Sequence, residues 1–159
     1  MIRILLSVLM AASMTTAPRD MRDGRHDFDF EIGAWKIAPS GYGHIVRKLW
    51  DGATIAQLVI PNPRRHVRGS LLSIYNPSSR QWSIYWADAK DGTLSSPLLG
   101  RFRNGVGSFV GRDSVDGHAI MTRLCIFNIA SRSFQTLEET SSDGGRTWGG
   151  AKRATFTRQ

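Results

Sequence analysis

Residues 81–92 read Q-W-S-I-Y-W-A-D-A-K-D-G, and this run carries two signals in succession. Trp82, Ile84 and Trp86 alternate with Ser83 and Tyr85, the period of two that places one set of side chains on each face of a β-strand. Asp91-Gly92 then supplies a dipeptide suited to a tight hairpin, where glycine accepts the positive φ that such turns need. The same pattern extends in both directions. Upstream, Leu72 and Ile74 alternate with Ser73 and Tyr75, and Asp51-Gly52, Asn104-Gly105, Asp116-Gly117 and Asp143-Gly144 punctuate the rest of the chain. Between these turns, runs rich in Val, Ile, Leu, Trp, Tyr and Thr predict strands at 31–38, 44–50, 54–60, 67–75, 81–87, 98–103, 107–112, 118–128, 133–141 and 147–157. No stretch after residue 17 holds a helical apolar period, and no linker, repeat or low-complexity segment interrupts the pattern.

A meander of about ten strands exposes two unpaired edges unless it curls and closes. The expected fold is therefore all-β, an antiparallel up-and-down barrel of about ten strands whose interior is either filled or holds a ligand. A two-sheet sandwich is the alternative that the pattern leaves open.

Residues 141–148, S-S-D-G-G-R-T-W, fit the S-x-D-x-G-x-T-W pattern of the Asp-box found in the blades of sialidase-type propellers. A propeller needs at least about four blades, each repeating the motif. The chain has 159 residues and one copy; 76–82 (N-P-S-S-R-Q-W) lacks the Asp and Gly. The motif is thus read as a hairpin corner. Asp143 accepts hydrogen bonds from the backbone ahead of it, Gly144 and Gly145 supply positive φ, and Thr147 and Trp148 begin the next strand.

Arg3, an apolar run over 4–12 and a polar stretch ending at Ala17 match a secretory signal peptide, too short to span a bilayer. Export to the periplasm or medium of a bacterium is the expectation, with residues 1–17 as leader and 18–159 as one barrel domain. The remaining chain is long enough for a sizeable core. Its single cysteine, Cys125, forms no internal disulfide and reads as a small buried hydrophobe. The net charge of +8 is mostly arginine, spread along the chain except for Arg64, Arg65, His66 and Arg68 after Pro61-Asn62-Pro63. Scattered arginines read as a solvated surface, so no nucleic-acid partner is expected. No transmembrane segment is expected either, and the oligomeric state stays open.

Chemistry-bearing patterns are sparse. His26, His44, His66 and His118 show no metal-ligand spacing, so neither metal nor cofactor is expected. His26-x-x-Asp29 is at most a weak surface pair, and His118 reads as a loop-edge residue rather than a haem ligand. Glu138 and Glu139 are adjacent on a strand and point to opposite faces, which excludes a two-carboxylate glycosidase site made by both. The inward one needs a partner, and Arg123 on the preceding strand is the candidate. There is no G-x-S-x-G, and the glycine-rich stretch 100–111 is a hairpin rather than a phosphate loop. No catalytic residue is assigned, and enzymatic activity stays open.

Ligand binding remains. Leu72, Ile74, Trp82, Trp86, Phe102 and Phe134 are apolar positions that line a cavity or fill a core, and Trp82, Trp86, Arg101, Arg123 and Glu138 are the candidate ligand-binding residues. Three functions are carried forward: a binder of a small apolar or amphipathic ligand, a small barrel enzyme using an inward Glu with Arg or His for proton transfer, and a structural envelope protein with a filled core.

Gly33-x-Trp35 on the first predicted strand resembles the G-x-W of lipocalins, where the Trp seals the barrel floor and a late Arg or Lys packs across it. Arg153 and Arg158 are placed for that role. Together, D-F-D-F-E-I-G-A-W-K, L-x-x-Y-N-P-S-S-R-Q-W-S-I-Y-W-A, D-G-T-L-x-x-P-L-L-G-R-F and S-x-D-G-G-R-T-W resemble the DUF1579-type exported bacterial proteins with a lipocalin-like barrel. The resemblance covers most of the chain after residue 17 and implies the fold rather than an activity. Between Lys36 and Asp51 this chain is shorter than the family's pattern, which implies a barrel one strand short or open between its first two strands. The ending A-T-F-T-R-Q also lacks the Trp-rich close of that pattern.

Overall fold

The computed structural model describes residues 22–60, 66–115 and 117–159. The expected leader, Pro61 to Arg65 of the arginine-rich group and Asp116 of one expected turn lie outside the described residues. Each of the ten expected strands is present: β1 (Gly33–Ala38), β2 (Gly43–Trp50), β3 (Ala53–Ile60), β4 (His66–Asn76), β5 (Gln81–Asp88), β7 (Leu98–Arg103), β8 (Val106–Val115), β9 (His118–Phe127), β10 (Ser133–Ser141) and β11 (Gly149–Arg158). A two-residue strand, β6 (Thr93–Leu94), is added beside β5. The ten long strands pair antiparallel with their neighbours in the chain, β5 continuing to β7. β1 closes on β11 with Trp35 opposite Arg158, so the sheet is a closed up-and-down barrel. The sandwich alternative and the opening between the first two strands are both corrected. β1 and β2 pair directly from Gly33↔Val46 to Lys36↔Gly43 across a short turn, because the chain spared at 39–42 is all a hairpin needs.

Two expected boundaries shift. The first strand begins at Gly33 because Asp29–Glu31 form a 3-10 turn beneath the barrel. The last begins at Gly149 because Thr147 remains tied to Asp143.

One end of the barrel is filled. Residues 22–32 cross beneath it, and Phe28, nearly inaccessible to solvent, packs edge-on against Trp82 (ring centroids 4.7 Å apart) and Phe102 (5.1 Å). The Trp82 indole N–H donates to the Gly24 carbonyl at 3.0 Å, and the Gly24 N–H donates to the Tyr75 hydroxyl oxygen at 3.0 Å. Phe134 stacks on Phe156 at 4.2 Å and meets Trp35 edge-on at 4.9 Å. Gly100 and Gly107 make room for these rings, since a Cβ on either would fall 2.7–2.8 Å from Phe109.

The Arg158 guanidinium lies 4.2 Å over the Trp35 ring and leaves Arg153 to sit over Phe127 instead. Its nitrogens donate to the carbonyls of Phe30 (2.8 Å), Ile32 (2.9 Å) and Ser131 (2.9 Å). Gly33 permits this approach. Its φ is +128°, and a Cβ there would stand 2.6 Å from an Arg158 nitrogen.

Gly33→Ala is therefore expected to cost about 1–3 kcal/mol of stability in urea unfolding. In an Arg158→Ala background the same substitution is expected to cost less, because the clash disappears and only the backbone strain remains. Equal costs in the two backgrounds would refute the clamp.

Candidate functional site

The other half of the barrel is not filled. Among the described residues a cavity of about 560 Å³ runs from the plug at the closed end to the open end, where it reaches exposed Ser96, Arg112 and Asp113. Its walls are largely aliphatic and aromatic: Ile37, Leu58, Leu71, Ile84, Leu98, Leu124 and Phe156 contribute from seven different strands. Trp86 lies across Gly69, where a Cβ would fall 2.3 Å from the indole ring, and its N–H donates to Asp88 at 3.2 Å. Asp88 is held in turn by Arg68 and by the backbone N–H of Lys90, and these hydrogen bonds, the Lys90 one foremost, lower its carboxyl below the usual range.

At the inner end the walls become polar. Glu31, on the 3-10 turn, meets His44 of β2 with Oε1 and Nε2 2.8 Å apart, and both side chains are almost wholly buried. The pair is fixed on both sides. The Trp35 indole N–H donates to the Glu31 carbonyl at 2.6 Å, and the His44 ring stands edge-on to Phe156 at 5.1 Å. His44 lies beside Trp35 because the two residues are register partners, which turns its ring inward. Among the described residues Ser73 is the other buried polar side chain facing this cavity.

The sequence-derived candidates separate. Trp86 and Glu138 line the cavity, Glu138 at the rim, where it bonds to exposed Lys152 at 3.3 Å. Trp82 belongs to the packed end. Arg101 stands near the closed end beside Asp27 and Arg80. Arg123 pairs with Glu139 at 2.7 Å, not with Glu138, and its guanidinium lies 4.5 Å over the Trp148 ring. Phe102 and Phe134 are core. Leu72 and Ile74 are corrected: the cavity takes Leu71 and Ser73, so the opposite set of β4 side chains faces inward. Leu72 instead sits between Ile55 and Tyr85, a cross-strand apolar row of the kind that stabilises a sheet without entering its core. Cys125 is likewise half-buried between inward Leu124 and Ile126 rather than in the core.

Glu31 and His44 are the residues that sequence reasoning missed. They are thirteen residues apart, in no motif, and only the β1–β2 register and the turn before Gly33 unite them. The available signal was the hairpin itself: pairing 33–36 with 43–46 sets His44 opposite Trp35.

The Asp-box corner sits at the open end, joining β10 to β11. Asp143 Oδ1 accepts from the N–H groups of Arg146 and Thr147, both at 2.9 Å, and from the Ser141 hydroxyl at 2.7 Å. Oδ2 accepts from the Thr147 hydroxyl at 2.7 Å, which leaves the carboxylate committed to holding the turn. Gly144 and Gly145 have φ of +75° and +89°. His26 pairs with Asp29 at 2.9 Å on the surface. No helix among the described residues is long and apolar enough to cross a membrane.

A scan of the chain against protein-family models gives no match, and a search of curated proteins gives none either.

The hydrogen bonds to Asp143, chiefly from the Thr147 backbone, hold its carboxyl well below the usual range. A depressed folded-state value adds stability that is present above the unfolded value of about 3.9 and is lost as pH falls through the folded one. Asp143→Asn is expected to lower stability at neutral pH and to flatten the acid limb below about pH 4 in pH-dependent urea unfolding. Parallel acid limbs for the two proteins would exclude this role.

Proposed function

We propose that the protein is an exported carrier that holds a small apolar or amphipathic molecule in the open half of its barrel. The observation that supports this reading is the cavity of about 560 Å³ behind largely apolar walls. Protein interiors close-pack to leave few voids larger than a water molecule, whereas ligand pockets run from about 300 to 1,000 Å³. The leader pattern of residues 1–17 and the resemblance to DUF1579-type, lipocalin-like proteins agree with it. The filled-core reading fits the closed half alone.

A second reading is favoured by the Glu31–His44 pair, which provides a largely buried carboxylate beside a histidine on the cavity wall. It would move a proton to or from a bound molecule. It requires that a bound molecule be chemically altered, and that His44→Gln abolish the change while binding persists.

Native mass spectrometry of the purified protein is expected to show a discrete adduct of a few hundred daltons, absent after denaturation. Ala56 faces the cavity with its small side chain, so Ala56→Phe is expected to reduce binding of the neutral fluorescent probe N-phenyl-1-naphthylamine at least about tenfold. It should cost under about 1.5 kcal/mol of stability, because the ring enters vacant space rather than a packed core. Undiminished probe binding would count against the cavity as the binding site.

A further inference from the structure

We propose that the cavity selects a neutral, hydrogen-bond-donating headgroup, an alcohol or phenol, and rejects a carboxylate. This rests on the carrier reading above and names the chemistry of its ligand.

The argument is one of charge and of open hydrogen-bonding capacity at the inner end. Glu31 spends one carboxylate oxygen on His44. No buried side-chain polar atom among the described residues lacks a hydrogen-bond partner. The second Glu31 oxygen takes no bond from the described side chains, so it is accessible, and Glu31 lines the cavity. An acceptor is therefore available at the inner end of a cavity whose walls are largely apolar. An ionised Glu31 beside a neutral His44 leaves the pair with net charge −1, and one further proton, on either residue, leaves it neutral. Neither state offers countercharge to an anion. Among the described cavity-lining residues the one permanently cationic side chain is Arg112, exposed at the open end and beside Asp113. A carboxylate driven to the inner end would be desolvated against a carboxylate, which is strongly unfavourable in a low-dielectric site. A hydroxyl brings the donor that the acceptor lacks, at the cost of desolvating only a neutral group. The anchor is also rigid, braced by Trp35 and Phe156, so little order is lost when a headgroup meets it.

Titration calorimetry with three matched probes tests this on the intact protein: decanol, methoxynonane (the same number of heavy atoms but no donor) and decanoate. Decanol is expected to bind at least about tenfold tighter than methoxynonane and tighter again than decanoate at neutral pH. In Glu31→Gln, whose amide donates as well as accepts, the preference for decanol over decanoate is expected to shrink by about tenfold or more. Binding of all three within about threefold in the native protein would overturn the headgroup assignment while leaving the carrier reading intact. A strong preference for decanol that Glu31→Gln does not change would also overturn it, since the cavity would then reject charge without help from Glu31. If no probe binds, both readings fall. Should Glu31→Gln not fold, the decanol–methoxynonane comparison on the native protein still decides, because it needs no substitution.

Discussion

The contact between Arg158 and Trp35 is the constraint on which the rest of the molecule depends. It brings the last strand over the first and ties both to the segment that passes beneath the barrel. A closed barrel has no free edge, but closure must be specified against slipped registers, and a slip of one residue would exchange the inner and outer side chains. Here the specification is chemical as well as geometric. A charged fork bonds three carbonyls, an indole lies beneath it, and Gly33 leaves the space it requires. With Trp35 fixed, His44 is turned inward beside it, and the polar end of the cavity follows.

The barrel is divided by side-chain volume. Toward the closed end, inward glycines on β7 and β8 alternate with Phe102 and Phe109, and rings from the crossing segment complete a solid core. Toward the open end, the inward positions carry Ala56, Leu58, Leu71, Ser73 and Ala154, which are too small to meet across the same width. The packed core and the cavity thus occupy different halves, which allows a large void to persist without loosening the aromatic floor.

Much of this was legible in the sequence because strands and hairpin turns are local features. The Asp-Gly and Asn-Gly turns and period-two runs located all ten barrel strands within a few residues, and Gly33-x-Trp35 pointed to a late arginine as its partner. Register decided between the two arginines named, since Arg158, not Arg153, stands opposite Trp35. What stayed hidden was non-local or depended on which face turned inward. Ser73 is buried while Leu72 lies on the other face, so polarity alone pointed the wrong way on β4. Glu31 and His44 became a pair only when a 3-10 turn and a hairpin placed them together, and no spacing rule encodes that. Glu138 and Glu139 were correctly split between faces, but the arginine chosen for one belongs to the other.

The clamp also dictates an order of events. Arg158 reaches carbonyls 126 and 128 residues earlier in the chain, so the floor cannot lock until the last strand has been made and delivered. Until then β1 offers an unpaired edge, and Trp35 lacks its cationic cover. Contacts of such sequence separation carry a large loop-closure cost and place a protein among the slower folders. The hairpins from β2 to β10 need only their neighbours and can form first. The growing chain is thus a ribbon open at one side, exposed to wrong partners until its final residues arrive to close the barrel.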